Sequence, residues 1–329
     1  MHLHCTAQAT HFPISILRVL TPHFTSGHSL PLTPHLLNKF SHTLSLPPLN
    51  TPLLRYILKA THLPNFFSSL HYSIIRRRKM KTQVEEKFSD FYAKWMDQLE
   101  HLLQLLLVVS RDGHSQEAGY QSMVNKLTAH HKEYYTFKWA SAHEDVLAFF
   151  APVWMSPLEN AYLWVTGWKP STVFRLVESL RGVQPEGGMK LSGLTEEQVK
   201  KIEALRVKIK VEEERVEREM ERQQVGMADR KMVELATLER QAKKNGGAAT
   251  VAQVDGLVEV ALKGLLAGLE KVMKMADCVR LKTLKGMLDI LNPMQCVDFL
   301  AAASMLQIQI RKWGKKREEK SVLITVKTM

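Results

Sequence analysis

The stretch WMSPLENAYLWVTGWKPSTVFRLVESLRG, residues Trp154–Gly182, carries the clearest fold signals in this chain. Ser156 precedes Pro157 and stands three residues before Glu159. The serine hydroxyl and the glutamate carboxylate can therefore each accept a backbone N–H at the start of a helix. Three of the chain's six tryptophans also lie here: Trp154, Trp164 and Trp168. Three interpretations follow for the stretch, namely a ligand site, a partner surface, or packing around a tight helical corner.

Further helix boundaries can be read from the same local chemistry. A helix is predicted to begin after Pro170 and Ser171 and to end at Gly182, because glycine commonly terminates helices. Thr195 and Gln198 repeat this helix-start pattern, with the glutamine amide in place of the glutamate carboxylate. Asn292 and Gln295 vary it further, because an asparagine replaces the hydroxyl residue. These signals predict several separate helices joined by short turns.

Helical periodicity continues along the chain from Met80. A long charged helix is predicted from about Thr195, and Lys243–Thr250 is predicted to connect it to a returning helix. Gly314 is predicted to end the last helix. The fold class is therefore all-α, a multi-helix bundle with long antiparallel helices.

The net charge of +12 is concentrated at the N-terminal end. Residues 1–84 contain nine Lys/Arg residues and no Asp or Glu, which leaves 36 basic and 33 acidic residues in the remainder. We therefore expect a basic, Pro/His-rich leader over residues 1–79, either disordered or a gene-model extension. A helical domain is predicted for 80–314 and a tail for 315–329.

Two other interpretations of the leader remain. Its acid-free composition is also typical of organelle targeting segments. It could instead act as a basic arm through the cluster Arg76, Arg77, Arg78 and Lys79. No membrane span is predicted, because prolines interrupt the one uncharged stretch of sufficient length.

The three cysteines, Cys5, Cys278 and Cys296, have no CxxC spacing. Neither a disulfide framework nor a zinc site is predicted from them. Cys278 and Cys296 lie in apolar helical surroundings, so we expect both to be plain buried thiols.

Enzyme motifs are missing from the sequence. It contains no GxGxxG, GxxxxGK[ST], HExxH or GxSxG pattern, so no catalytic or metal-binding residue is predicted. The adjacent His130 and His131 point in different directions on one helix, and we expect a half-buried, hydrogen-bonded pair rather than metal or haem ligands.

Several segments resemble the plant Delay of Germination (seed dormancy control) domain. They are FYAKWMDQL, HHKEYY, EDVLAFFAPVWMSPLENAYLWVTGWKPSTVFRL, LSGLTEEQVKKIEALR and RLKTLKGMLDILNPMQCVDFLAAASMLQIQIRKWG. The resemblance covers about Phe88 to Gly314. The same domain forms the C-terminal part of TGA-class bZIP transcription factors.

The resemblance implies a non-enzymatic helical interaction module of dormancy, abscisic acid and developmental pathways. Some family members associate with type 2C protein phosphatases and some with haem. The tryptophan-rich stretch then becomes a packed helical corner with Trp164 and Trp168 as core anchors. The family-motif positions Trp154, Pro157, Glu159, Trp164, Trp168, Pro170 and Ser171 form this corner or a partner surface on it.

The chain departs from the TGA factors in its N-terminal part, since residues 1–84 supply neither a basic helix nor heptad leucines. Sequence-specific DNA binding by this chain alone is therefore not expected. No cofactor is expected either, and a haem site that needs a C-terminal histidine is disfavoured because no histidine follows His143.

Three function classes remain. The first is a regulator that binds phosphatases or bZIP transcription factors and affects transcription through these partners, in the nucleus, the cytoplasm or both. The second is a transcription regulator that associates with DNA directly or through bZIP partners. The third is a haem or small-molecule receptor.

Overall fold

The structure is a computed structural model, and it describes residues 82–111, 117–182, 191, 193–227, 229–245 and 247–328. The predicted leader, its Arg76–Lys79 cluster and Cys5 lie outside these residues. For residues 110, 111, 248 and 320–328 the structure describes the backbone and not the side chains.

The described backbone is built from α-helices, which confirms the predicted all-α class. The helices are α1 Gln83–Arg111, α2 Glu117–Glu144, α3 Leu147–Phe150, α4 Pro157–Ala161, α5 Thr172–Arg181, α6 Glu196–Met227, α7 Arg230–Asn245, α8 Ala248–Ile290 and α9 Pro293–Thr328. The only β feature among the described residues is an isolated bridge between Trp164 and Gly167. The antiparallel arrangement of the long helices stays a prediction.

The described residues fall into two compact units. The larger comprises 82–221 and 264–328, and the smaller comprises 222–263. The smaller unit contains the end of α6, all of α7 and the beginning of α8, and it buries Ala236, Ala242 and Val254. The boundary between α7 and α8 falls inside the predicted connector Lys243–Thr250.

An aromatic cluster forms part of the core of the larger unit. Phe88 of α1 is fully buried, and its ring centroid lies 4.5 Å from that of Trp154 and 4.7 Å from that of Phe149. Phe91 and Phe137 stack with their centroids 4.1 Å apart. Contacts between aromatic rings add about 0.5–1.5 kcal/mol each to the free energy gained by burial, so this cluster anchors α1, α2 and the chain around Trp154 to one another.

The predicted helix starts are present. Ser156 and Glu159 form a reciprocal capping box at α4. Thr195 and Gln198 exchange the corresponding bonds at α6, at 3.0 and 3.1 Å, and Asn292 and Gln295 do so at α9, at 3.0 and 2.9 Å.

Both adjacent histidines are hydrogen-bonded as expected, each to a different carbonyl, but His130 is buried and only His131 is half-buried. A ring nitrogen of His130 lies 3.0 Å from the oxygen of Trp95, and one of His131 lies 2.9 Å from that of Leu127. The two rings are perpendicular. His130 also stacks on the indole of Trp95, which donates from Nε1 to the carbonyl of His130 at 3.0 Å.

The prediction that Gly314 ends a helix is wrong. Helix α9 continues through Gly314 as far as Thr328 and includes most of the predicted tail. The glycine serves a packing role instead: a Cβ atom at this position would lie 1.9 Å from Oγ of Ser156. Its missing side chain allows α9 to approach the start of α4 closely.

The prediction for Cys278 is also wrong, because this thiol is exposed whereas that of Cys296 is buried. On α8, Cys278 lies one helical turn from Lys274 and one from Lys282, so it belongs to the solvent-facing stripe of the helix.

Candidate functional site: the tryptophan corner

We call residues 152–171 the tryptophan corner. They connect α3 to α5 and include the short helix α4. Ser156 caps α4, and its hydroxyl also donates to Oε2 of Glu159 at 2.8 Å. Ser171 occupies the N-cap of α5, as predicted, and Gly182 its C-cap. A capping box therefore fixes the start of α4, whereas the side chain of Ser171 makes no capping bond at α5.

A strained turn forms the tip of the corner. Trp164 and Gly167 exchange two backbone hydrogen bonds, at 2.7 and 3.2 Å. Between them, Val165 and Thr166 have φ angles of 39° and 64°. This left-handed region suits Gly, Asn or Asp and disfavours β-branched residues, at a cost of about 1–3 kcal/mol per residue. The turn consequently needs external contacts to hold its conformation.

Arg280 of α8 supplies several of these contacts. Its guanidinium donates to the carbonyl oxygens of Trp168 at 2.7 Å and Val165 at 2.8 Å, and also to that of Trp164. The guanidinium carbon lies 5.3 Å from the ring centroid of Trp164. A Cβ atom on Gly167 would approach Cζ of Arg280 to 2.8 Å, so the glycine leaves room for the planar cation.

Lys138 of α2 holds the turn through other atoms. Its ammonium donates to the carbonyl and the hydroxyl of Thr166, at 3.1 and 3.0 Å, and to Oδ1 of Asp277 at 2.8 Å. Asp277 also accepts from Arg280 at 2.6 Å and from the indole of Trp139 at 3.0 Å. Burial lowers the pKa of Lys138 to about 8, although Asp277 opposes this shift.

Helix α6 contributes two carboxylates to the corner. Oε1 of Glu217 accepts from Nε1 of Trp164 at 2.8 Å and from Lys169 at 3.0 Å. Glu213 accepts from the backbone N–H of Ser171 at 2.6 Å. Burial raises the pKa of Glu213 above its ordinary value, and the Ser171 amide opposes that shift.

Glu159 of α4 forms hydrogen bonds with residues of α1 and α9. Its Oε1 accepts from the hydroxyl of Tyr92 and from Nη1 of Arg311, both at 3.3 Å. Arg311 also donates to the carbonyl of Trp154 at 3.1 Å and stacks over the Tyr92 ring. Burial and the Glu159 carboxylate raise the pKa of Tyr92, which keeps its hydroxyl protonated as a donor.

The structure gives the predicted corner residues different degrees of burial. Trp154, Glu159 and Pro170 are buried, Trp164, Trp168 and Ser171 are half-buried, and Pro157 is exposed. Trp164 and Trp168 pack against the core with part of each ring accessible to solvent. Their assignment as core anchors stays a prediction.

Sequence reasoning missed the ion cluster of Lys138, Asp277 and Arg280. Lys138 and Asp277 are 139 residues apart in the chain, so no local pattern joins them. One signal was present: Asp277 and Arg280 interrupt an otherwise apolar face of α8, where buried charges need partners.

The chemistry of the corner is that of a scaffold. Its charged groups are occupied by ion pairs, caps and backbone carbonyls. The described residues contain no cluster of three or more His, Cys, Asp or Glu side chains that could hold a metal ion. None of the described helices is long and apolar enough to cross a membrane.

Comparison with known proteins matches the segment that contains this corner to a protein family. Residues 96–179, which contain the whole corner, match the family described as seed dormancy control. The chain is 54% identical over 239 residues to the DOG1-like 4 protein of Arabidopsis thaliana, which covers 73% of this chain and 97% of that protein. It is 27% identical to DOG1-like 3 of the same species, over 72% of this chain and 86% of that protein.

A bZIP relative matches as well. Transcription factor TGA5 of Arabidopsis thaliana is 26% identical over 220 residues, which cover 67% of this chain and 61% of TGA5. This match agrees with a domain shared between the two groups. The extent and identity of the DOG1-like 4 match establish that the chain belongs to the seed dormancy control family.

Proposed function

We propose that this chain is a non-enzymatic regulatory protein that acts in plant seed dormancy by binding protein partners. Its pathways are abscisic acid and developmental signalling, and it affects transcription through its partners. Type 2C protein phosphatases and bZIP transcription factors are the proposed partner classes. The proposed location is the nucleus, the cytoplasm or both, and no cofactor is required.

One observation carries this proposal, the 54% identity to DOG1-like 4 over nearly the whole length of that protein. The match to TGA5 favours partners connected with transcription. The corner supports a non-enzymatic role, because its buried ionisable groups are engaged with one another and with backbone groups. A catalytic acid or base would need a free, accessible position next to a substrate.

Affinity purification tests the proposal. The full chain is used as bait in an extract of plant seeds, and retained proteins are identified by mass spectrometry. We expect a type 2C phosphatase or a bZIP factor among them, and we expect the purified pair to bind directly. An unrelated helical protein of similar charge serves as the control bait.

Two results would contradict the proposal. One is a folded chain that retains neither class of partner above the control bait. The other is sequence-specific binding of duplex DNA by the isolated chain at physiological salt, since binding through exposed cations alone is unspecific and falls steeply with salt.

A further inference from the structure

A surface groove separate from the tryptophan corner runs between α6 and α8 of the larger unit. Its volume is about 560 Å³. Side chains of α8 from Ala267 to Lys282 line one side, a distance of about 22 Å at about 1.5 Å per residue. Residues of α6 between Glu212 and Val216 line the other.

The floor of the groove is apolar. It is formed by Val216, Ala267, Met275 and Val279. Val216 and Val279 are only 1% and 2% exposed, so the floor is continuous with the core, whereas Ala267 is open to solvent. The accessible part of the floor is therefore formed mainly by Ala267 and Met275, and a partner would cover these two side chains.

Charged side chains form the rim, and positive charge prevails. The lining contains four cations, Arg215, Lys271, Lys274 and Lys282, against two carboxylates, Glu212 and Glu270. Lys271 lies 3.9 Å from Oε1 of Glu219 on α6. Ion pairs connect Lys282 to Glu212 at 3.1 Å and Lys274 to Glu270 at 2.6 Å. The lysines of these pairs are 59% and 44% exposed, so the pairs are weak and can exchange for carboxylates of a ligand.

We propose that this groove is a docking site for an acidic amphipathic helix of a partner protein. The apolar face of that helix covers the floor, and its flanking carboxylates meet the lysines of the rim. The proposal rests on the proposed function, because it assigns the surface through which a protein partner is bound.

The shape and chemistry of the groove favour a helix over other occupants. A peptide strand needs an open sheet edge, and a proline-rich peptide needs an aromatic-lined groove. The lining contains neither. A length of about 22 Å matches about four turns of a helix that docks through residues spaced three and four apart. A nucleic acid backbone is disfavoured by the apolar floor and by the two carboxylates.

Two synthetic peptides serve as probes. The first is a helix of about 18 residues with leucines along one face and glutamates on both flanks. The second has the same leucines with every glutamate replaced by lysine. We expect the full chain to bind the acidic peptide at least about tenfold more tightly, because like charges at an interface are strongly disfavoured. Fluorescence anisotropy of the labelled peptides measures both affinities.

Cys278 reports occupancy of the groove, because it is exposed and belongs to the lining. Its alkylation by iodoacetamide is followed by mass spectrometry of the tryptic peptide Met275–Arg280. With the acidic peptide at about ten times its Kd, only about one chain in eleven is free, so alkylation should slow about tenfold.

A matched pair of variants tests the position of the site. Ala267→Glu adds a carboxylate inside the groove, and Ala204→Glu adds one to an exposed position of α6 outside it. We expect Ala267→Glu to weaken binding of the acidic peptide about tenfold or more, and Ala204→Glu to leave it unchanged. Circular dichroism melts of both variants verify that the fold is retained.

The proposal is overturned by equal binding of the two peptides, by unchanged binding to Ala267→Glu, or by unchanged alkylation of Cys278. Protection of Cys278 by duplex DNA and not by the acidic peptide would overturn it as well. Extract partners that bind both variants equally would leave the proposed function standing and reject the groove. If the chain binds the acidic peptide but retains no partner from the extract, the groove stands and the proposed function is rejected.

Discussion

At the scale of single residues, Asp277 has an unusual electrostatic position. It is completely buried and accepts hydrogen bonds from Lys138, Arg280 and the indole of Trp139. We expect Asp277→Asn to leave two buried cations without a carboxylate and to lower the free energy of unfolding by about 3–5 kcal/mol. Chemical denaturation measures this loss.

Asp289→Asn is the control for that substitution. Asp289 lies on the same helix and pairs with Lys285 at 2.7 Å, but it is 60% exposed. Its replacement should cost less than about 1 kcal/mol. Similar losses in the two variants would mean that burial does not control the strength of these pairs.

Lys138 gives the protein a predicted pH dependence. Its pKa is about 8 in the folded chain and about 10.4 in an unfolded chain. Between these values the unfolded chain binds more protons, so the contribution of Lys138 to stability rises with pH and is lost as the pH falls through 8. Urea unfolding at pH 7, 8, 9 and 10 should therefore show wild type gaining stability relative to Lys138→Met. A constant or falling difference would contradict the assignment.

Trp164 can distinguish packing from recognition. Its ring packs against the core, and its Nε1 donates to Glu217. If it is a core anchor, Trp164→Ala should lower the free energy of unfolding by about 3 kcal/mol or more. Trp164→Phe should lower it by only about 1 kcal/mol, because this variant loses the hydrogen bond to Glu217 and keeps an aromatic ring. Thermal melts and a partner-binding assay measure both effects. Unchanged melts with lost binding would instead identify Trp164 as part of a partner surface.

At the scale of elements, the contact between α9 and the start of α4 depends on Gly314. We expect Gly314→Ala to lower stability by about 1–3 kcal/mol, because the added methyl group would overlap the hydroxyl of Ser156. Gly264→Ala in α8 is the matched control, because no atom lies within 4 Å of its Cβ position. That change should raise stability by about 0.5–1 kcal/mol, since alanine favours helix. Thermal unfolding of the two variants should shift in opposite directions, and shifts in the same direction would reject the close contact.

Helix α8 shows how one element serves two purposes. Its buried face carries Asp277 and Arg280, which hold the tryptophan corner, whereas its exposed face carries Lys271, Cys278 and Lys282 along the groove. The exposed residues recur every three or four positions where they line the groove. Because of this spacing, the exposed polar face of α8 could have been recognised from the sequence.

At the scale of the whole molecule, family membership supports a regulatory role connected with seed dormancy. Helical periodicity begins at Met80, and the match to DOG1-like 4 takes in 239 of the 329 residues. We therefore expect residues 80–329 to fold without residues 1–79. The shortened chain should keep its helicity and a cooperative unfolding transition, as measured by circular dichroism. A full chain that is helical beside an insoluble or unfolded 80–329 fragment would place the boundary elsewhere.

The sequence alone determined the helical class and the starts of several helices. The caps at Ser156, Thr195 and Asn292 could be predicted because both partners of each capping bond lie within three residues. The start of α5 after Pro170 and Ser171 also followed from the local sequence, although the side chain of Ser171 makes no capping bond there.

Only the tertiary structure decided which distant residues meet. Gly314 carries the local signature of a helix end, but its role is set by Ser156, which lies far away in the chain. Lys138, Asp277 and Arg280 converge on the strained turn from distant positions in the chain. The groove likewise exists because α6 and α8 pack side by side. Hydrogen bonds within one helical turn depend on sequence spacing, whereas burial, close approach and ion pairing depend on the packing of the whole chain.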